Sequence, residues 1–132
     1  MPYMLDTDIC IYIIKRKPEQ IIKRFEKLSP GDVCLSVVTV SELYAGVEKS
    51  AFPERNREAL EQFLLPFDIF GYGIEEAKIY GQIRAALEKL GTPIGAYDLM
   101  IAAHCLCRCF TLITNNSREF ERVPGLIIEN WL

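Results

Sequence analysis

Short apolar runs alternate along this chain with longer segments in which apolar residues recur at helical spacing. Apolar runs bounded by turn residues are typical of buried strands. They predict strands at residues 3–5, 33–38, 67–70, 110–114 and 126–128. The helical spacing, with its proline and glycine breaks, predicts helices at residues 9–16, 18–28, 53–64, 74–90, 96–107 and 117–121. A further helix is predicted to start from a cap at Thr39 or Ser41 and to end before Phe52-Pro53.

This order of elements indicates the fold class. Apolar strands that alternate with helices favour an α/β protein with a parallel sheet covered on both faces. We therefore expect a three-layer fold with a central sheet of four to five strands. The length of 132 residues fits one domain that spans residues 1–132.

Composition narrows the class of protein further. Half of the residues are apolar, and the net charge of −3 gives no support to strong non-specific binding of nucleic acid. The five cysteines form an odd number with no secretion signal before them, which indicates reduced thiols. The longest apolar run, residues 9–14, is too short to cross a membrane. We expect a soluble protein of the cytoplasm.

Four acidic residues stand where a predicted strand ends or a helix begins: Asp6, Glu42, Asp98 and Glu119. In a parallel sheet, the carboxyl ends of the strands meet at one edge, where ligands bind. Carboxylates in such surroundings are costly unless they are paired or bind a metal. Hard divalent cations prefer oxygen ligands and commonly serve phosphodiester chemistry. The pattern therefore predicts a metal-dependent nuclease.

Each of these residues could have a simpler structural role instead of binding a metal. Asp6, Glu42 and Asp98 all stand where a carboxylate favours a helix start, and Thr7 or Asp8 could cap the first helix. Glu119 could instead form a surface ion pair with Arg122. Thr7 and Ser41 could donate hydrogen bonds to the neighbouring carboxylates. Asp8 is expected to act as a cap or to support the site, and Asn116 to orient a water molecule.

Four segments containing these acids resemble the PIN domain, and specifically the VapC-type toxins of toxin–antitoxin pairs. They are Met4-Leu5-Asp6-Thr7-Asp8, Ser36-Val37-Val38-Thr39-Val40-Ser41-Glu42-Leu43, residues 93–104 around Ala96-Tyr97-Asp98-Leu99, and Leu112-Ile113-Thr114-Asn115-Asn116-Ser117-Arg118-Glu119-Phe120. The resemblance covers essentially the whole chain.

The resemblance implies an endoribonuclease that depends on Mg²⁺ or Mn²⁺, forms a homodimer and is blocked by an antitoxin. It assigns the metal to Asp6, Glu42 and Asp98, with Glu119 as a fourth catalytic acid that supports a second ion or an ordered water. Relatives that share Thr-Asn-Asn and Arg-Glu-Phe near the end cut initiator tRNA, so this RNA is the expected target.

Two positions depart from the family pattern. Many relatives have Asn where this chain has Asp8, and many carry an acid where it has Asn115-Asn116. The first departure adds a carboxylate near the site. The second leaves Glu119 as the only candidate for the fourth acidic position, so one-metal and two-metal mechanisms both stay open.

Two other functions compete with the nuclease. A phosphoacceptor receiver domain also clusters acids on a parallel sheet, but it normally has a lysine after the last strands, and none follows residues 110–114 or 126–128. A non-catalytic RNA-binding module with the same fold would not need its carboxylates.

Three other features have mainly structural explanations. The cysteines at 105, 107 and 109 lack the second ligand pair of a zinc site, so they are expected to pack as small apolar residues. His104, the only histidine, is expected to be structural. The basic stretch from Lys15 to Lys27 is either a solvated face or a phosphate-contacting rim. The apolar residues of the same two helices, Ile13, Ile14, Ile21 and Phe25, could instead accept an antitoxin helix.

Overall fold

The computed structural model describes residues 2–132, apart from the side chain of residue 30. Its centre is a five-stranded sheet in the order β3-β2-β1-β4-β5, and every neighbouring pair is parallel. The strands are β1 (Tyr3–Leu5), β2 (Val33–Ser36), β3 (Asp68–Phe70), β4 (Thr111–Ile113) and β5 (Ile128–Glu129). The predicted α/β class and parallel sheet are confirmed.

Seven α-helices connect or flank these strands in residues 2–132. They are α1 (Thr7–Lys15), α2 (Glu19–Glu26), α3 (Val37–Lys49), α4 (Pro53–Leu64), α5 (Ile74–Lys89), α6 (Ala96–Arg108) and α7 (Ser117–Phe120). A single 3₁₀ turn, Pro30–Asp32, leads into β2.

The strands are apolar throughout because both faces of the sheet are covered. Successive side chains on a strand point to opposite faces. Met4 accordingly packs into one apolar core and Leu5 into the other, and Cys34 and Leu35 on β2 divide in the same way. The core shared with α5 and α6 contains Ile83, Leu87, Leu99 and Ile101. The opposite core, shared with α1 to α4, contains Ile9, Ile13, Leu43, Val47 and Leu60.

The prediction for the end of β2 was wrong by two residues. The strand stops at Ser36, and α3 begins at Val37, before either predicted cap. The Ser36 hydroxyl caps the helix by accepting a hydrogen bond from the Val38 backbone N–H at 3.1 Å. The β-branched residues after Ser36 favour a strand locally. Here the Ser36 cap and the burial of Val38 and Thr39 stabilise a helix instead. Ser41 therefore lies inside the helix.

The observed boundaries of two other elements also differ from the predicted ones. Helix α1 begins at Thr7, and its cap is Asp6, whose carboxylate accepts a hydrogen bond from the Ile9 N–H at 2.9 Å. The caps proposed at Thr7 and Asp8 were thus wrong, whereas the capping role considered for Asp6 is confirmed. The last strand comprises Ile128 and Glu129 rather than residues 126–128, because it pairs with Leu112 and Ile113.

None of the helices in residues 2–132 combines the length and the apolar composition needed to cross a membrane.

We predict that Leu5→Ala destabilises the fold far more than Ile69→Ala. Leu5 is completely buried in the central strand, whereas Ile69 is 43% exposed on the edge strand β3. Truncation at Leu5 should cost about 2–5 kcal/mol in the free energy of unfolding, because it leaves a cavity. The change at Ile69 should cost under about 1 kcal/mol, as is usual at the surface. Urea unfolding of both variants tests this, and equal losses would contradict the two-core arrangement.

Candidate active site

The predicted acids meet at the carboxyl edge of the sheet. Asp6 directly follows β1, and Thr114 directly follows the neighbouring strand β4. The chain crosses from β1 to β2 on one side, and β4 lies on the other side. This is the position where open parallel sheets bind ligands. We call the group formed by Asp6, Glu42, Asp98 and Glu119 the acid rim.

Asp6 is nearly buried, and both of its carboxylate oxygens have partners. One accepts the N–H of Ile9, and the other accepts the hydroxyl of Thr114. Burial raises the pKa of Asp6 to about 6, although these two hydrogen bonds act to lower it. The charges of Asp8 and Glu42 raise it further, so Asp6 lies within electrostatic reach of both. The carboxylate is fixed in place but costly to ionise.

Glu42 extends from the second turn of α3, and the hydroxyl of Thr7 donates a hydrogen bond to it at 2.7 Å. The partners are 35 residues apart in sequence, so this bond connects the start of α1 to α3. Thr7 donates to a carboxylate, as the sequence suggested, but the partner is the distant Glu42 and not a neighbouring acid.

Asp98 lies in the first turn of α6, and neighbouring carboxylates contribute to raising its pKa. Burial raises its pKa to about 7, and the carboxylates of Glu119, Asp6 and Glu42 each raise it further. Asp98 and Glu119 lie within hydrogen-bonding reach of each other, so they can share a proton. The other three predicted acids therefore all act on Asp98.

Glu119 is held by groups from two different segments. One oxygen accepts the backbone N–H of Gly95 at 3.2 Å, and the other accepts the side-chain amide of Asn116 at 2.8 Å. The suggested ion pair between Glu119 and Arg122 does not form among residues 2–132, because the Arg122 guanidinium donates to the Pro93 carbonyl at 3.0 Å. Asn116 therefore orients Glu119.

Two predicted supporting residues have other contacts. Asp8 is exposed beside Asp6, and its influence on that residue is electrostatic. The hydroxyl of Ser41 donates to the Val37 carbonyl at 3.1 Å within α3, because the helix begins earlier than expected. The proposed hydrogen bond from Ser41 to a carboxylate was wrong.

Thr114 is a functional residue that the sequence analysis did not single out. It is completely buried; its hydroxyl donates to Asp6 and accepts the backbone N–H of Asn116 at 2.9 Å. The signal was present, since Thr114 follows β4 as Asp6 follows β1. The next residue, Asn115, donates to the Tyr12 hydroxyl at 2.8 Å and ties the same loop to α1.

The chemistry of the acid rim suits a hard divalent cation. Its candidate ligands are all carboxylate oxygens, the donors that Mg²⁺ and Mn²⁺ prefer. Burial raises the pKa of both Asp6 and Asp98, and neighbouring carboxylates raise it further, so a bound cation would favour their ionised forms. As their side chains stand, no three His, Cys, Asp or Glu residues in the described part of the chain converge closely enough to hold an ion.

The cysteines at the end of α6 do not form a common site. Cys105 is buried, Cys107 is half-buried and Cys109 is exposed, and all five cysteines of the chain are free. Burial raises the pKa of the Cys105 thiol well above its usual range. Such a thiol packs as an apolar group, as the sequence analysis expected.

Comparison with known proteins decides the family. A family model described as PIN domain matches residues 3–126. The tRNA(fMet)-specific endonuclease VapC of Salmonella typhimurium is 47% identical over 131 residues, which cover 99% of this chain and 98% of that protein. Ribonuclease VapC2 of Haemophilus influenzae is 48% identical over 132 residues, which cover 100% of this chain and 99% of that protein.

The chain belongs to the PIN-domain family. Solved structures agree: VapBC2 from Rickettsia felis, bound to a DNA fragment from its promoter, matches with a TM-score of 0.93 at 39% identity over 100% of both chains. The predicted resemblance to VapC-type ribonucleases is thereby confirmed. PIN is a nuclease fold, which excludes the receiver domain considered above.

We predict that the metal-free protein loses stability as pH rises through neutrality. The folded-state pKa values of Asp6 and Asp98, about 6 and about 7, exceed the ordinary value of 3.8. The folded state therefore binds more protons than the unfolded state between about pH 4 and pH 7, and its stability falls across that window. In EDTA, the melting temperature should decrease from pH 5 to pH 7.5.

Asp98→Asn should flatten this decrease, because the amide does not titrate. At pH 7.5 without metal, this variant should melt at or above the wild type. Glu58→Gln, which removes an exposed carboxylate on α4, is the matched control and should keep the wild-type slope. A melting temperature that is flat or rises from pH 5 to pH 7.5 in the wild type would contradict the charge crowding.

We also predict that Thr114→Val slows RNA cleavage by about 10–100-fold, a typical cost of removing a partner of a metal-binding side chain. Valine keeps the shape of threonine but leaves one Asp6 oxygen and the Asn116 N–H without their partner. Thr114→Ser keeps the hydroxyl and should stay within about fivefold of the wild type. Single-turnover cleavage at a fixed Mn²⁺ concentration measures both, and equal rates for Val and Ser would exclude the role of the hydroxyl.

Proposed function

We propose that this PIN-domain protein is a metal-dependent endoribonuclease that acts as the toxin of a toxin–antitoxin pair. The observation that carries the proposal is that four carboxylates from four elements lie within electrostatic reach at the end of β1: burial raises the pKa of Asp98, and Glu119, Asp6 and Glu42 each raise it further. Names of the relatives support the activity: the Salmonella typhimurium and Haemophilus influenzae proteins are an endonuclease and a ribonuclease.

In the proposed mechanism, Asp6, Glu42 and Asp98 hold a divalent cation, Mg²⁺ or Mn²⁺. Thr114 and the Ile9 N–H orient Asp6, and Thr7 orients Glu42, through their hydrogen bonds. Glu119, which accepts hydrogen bonds from the Gly95 N–H and the Asn116 amide, would support an ordered water or a second ion. When bound, the cation supplies a nucleophile from water at neutral pH and offsets negative charge on the phosphate. No nucleophilic side chain is required.

The proposed substrate is single-stranded or loop RNA. Glu42, Asp98 and Glu119 are each partly exposed, whereas Asp6 is nearly buried, so the exposed side of the acid rim is where an unpaired strand would bind. The Salmonella typhimurium relative is specific for tRNA(fMet), and its 47% identity over nearly the full length supports initiator tRNA as the target here. The acidic net charge limits non-specific binding.

The proposed protein partner is an antitoxin that docks beside the acid rim. A groove of about 280 Å³ between α1, α3 and α4 is lined by Ile11, Ile14, Leu43, Val47 and Leu60, and Glu42 stands at its edge. Its apolar lining suits the apolar face of an amphipathic helix. The Rickettsia felis neighbour is a VapBC2 structure, which supports such a partner. Ile13 and Ile21, expected in the sequence to receive this helix, are buried in the core instead.

We further propose a homodimer in the cytoplasm. The homodimer is what the resemblance to VapC-type toxins implies. The five free cysteines support the compartment, since reduced thiols are typical of the cytoplasm.

The metal-dependence experiment uses purified wild type, Asp98→Asn and Glu58→Gln on a single-stranded RNA, with Mn²⁺ or with EDTA. Wild type and Glu58→Gln should cleave with Mn²⁺ and lose the activity in EDTA. Asp98→Asn is nearly isosteric but lacks the ligand charge, so it should fold and lose at least about 100-fold in rate.

Mn²⁺ should also raise the melting temperature of the wild type more than that of Asp98→Asn, because a ligand that binds only the folded state adds stability. Undiminished cleavage in EDTA would exclude the metal mechanism. RNA binding without cleavage by the wild type would identify a non-catalytic RNA-binding module.

A further inference from the structure

His104 occupies the centre of a polar cluster buried below the acid rim. Its Nδ1 lies 2.8 Å from the Ser36 Oγ, and its ring meets Tyr72 edge-on with the centroids 5.5 Å apart. Its Nε2 has no hydrogen-bond partner among residues 2–132 and faces the Glu76 Oε1 at 4.0 Å. Burying an imidazole costs free energy unless its nitrogens form hydrogen bonds. We therefore expect His104 to do more than fill space in the core.

A hydrogen bond joins Ser36 to the ring. The Ser36 Oγ accepts the Val38 N–H at 3.1 Å and lies 2.8 Å from the His104 Nδ1, so the two side chains are bonded whichever of them supplies the proton. Burial lowers the pKa of His104, and although Glu76 acts in the opposite direction, the imidazole is neutral at pH 7.

Glu76 remains charged in this cluster. Burial acts to raise its pKa, but the backbone N–H groups of Glu76 and Gly73, with His104 and Arg108, more than offset this and the pKa is lowered. The Arg108 Nε lies 3.6 Å from the same Glu76 oxygen that faces His104. A negative charge therefore faces the Nε2 side of the ring at 4.0 Å, while Nδ1 faces Ser36.

The series Ser36, His104 and Glu76 has the residue types of a hydrolase triad, but its geometry excludes that chemistry. Ser36 and His104 are both completely buried, so no substrate carbonyl or phosphate can reach the hydroxyl. The hydroxyl is also already engaged as the cap of α3. The cluster must act on the structure around it.

The hydrogen bond between His104 and Ser36 connects the two helices that carry Glu42 and Asp98. Ser36 ends β2 and caps α3, and Glu42 follows it by less than two turns of that helix. Asp98 precedes His104 by a similar distance on α6. Any shift of α3 relative to α6 would change the separation of these two carboxylates.

We propose that His104 is a positioning residue of this nuclease: its hydrogen bond to Ser36 fixes the start of α3 against α6 and so sets the spacing of Glu42 and Asp98. This inference rests on the proposed function, in which both carboxylates hold the divalent cation.

The experiment compares His104→Leu, His104→Asn and a control, Ile101→Ala, by Mn²⁺-dependent RNA cleavage and by the rise in melting temperature on adding Mn²⁺. Asparagine can keep a polar group near Nδ1 and bond to Ser36; leucine cannot. Ile101 is completely buried on the same helix and belongs to the apolar core, so its truncation destabilises α6 without breaking the bond. All rates are measured at least ten degrees below each variant's melting temperature.

His104→Leu should lower kcat by about 10-fold or more, with KM for RNA nearly unchanged, and should weaken the response to Mn²⁺. His104→Asn should recover most of the loss, and Ile101→Ala should keep the wild-type kcat. If His104→Leu matches Ile101→Ala in kcat and in Mn²⁺ response, His104 is merely structural and the proposal is wrong.

Ser36→Ala removes the same hydrogen bond from the other side and provides a second test if His104→Leu fails to fold. It should reproduce the loss of kcat, and combining it with His104→Asn should add little further loss. A wild-type kcat in Ser36→Ala would overturn the proposal. Failure of the proposed function is distinct, because the wild type itself would then show no Mn²⁺-dependent cleavage.

Discussion

Mutual repulsion among the carboxylates at the end of β1 is the constraint on which the site depends. Two unit charges 4 Å apart interact by about 1 kcal/mol in water and about 4 kcal/mol near a protein surface. Burial raises the pKa of Asp98 to about 7, and the charges of Glu119, Asp6 and Glu42 raise it further. A fold that concentrates charge in this way is less stable without a cation than with one. The same arrangement explains the metal requirement that we propose and the loss of metal-free stability at rising pH.

Neutral hydrogen-bond donors hold the acid rim together against this repulsion. Thr114, Thr7, Asn116 and the Gly95 backbone each donate to one of the carboxylates. These donors bring no positive charge that would compete with a metal ion. They fix the oxygens yet leave the negative charge uncompensated, which is the arrangement a cation site requires.

The parallel sheet made the site predictable from sequence. Because strands β1, β2 and β4 run in the same direction, residues that follow them must meet at one edge, and Asp6 could be placed there before any coordinates. The first-turn position of Asp98 followed from the glycine and proline break before α6. Both inferences depend on local pattern and on a single rule of topology.

Contacts between distant elements were not predictable in the same way. The valine-rich run after Ser36 has the composition of a strand, and only the Ser36 cap and the packing of α3 on the sheet show that it is helical. The bond between Thr114 and Asp6 joins residues 108 positions apart, and that between His104 and Ser36 joins residues 68 positions apart. Single-residue propensities contain no information about such pairs.

The account predicts where a divalent cation binds, and anomalous diffraction from crystals soaked in Mn²⁺ measures this directly. A single strong peak should lie at the carboxyl edge of β1, about 2.0–2.3 Å from oxygens of Asp6 and Asp98 and close to Glu42. The peak should be absent in Asp98→Asn. A Mn²⁺ peak elsewhere in the wild type, with none at the acid rim, would contradict the central claim.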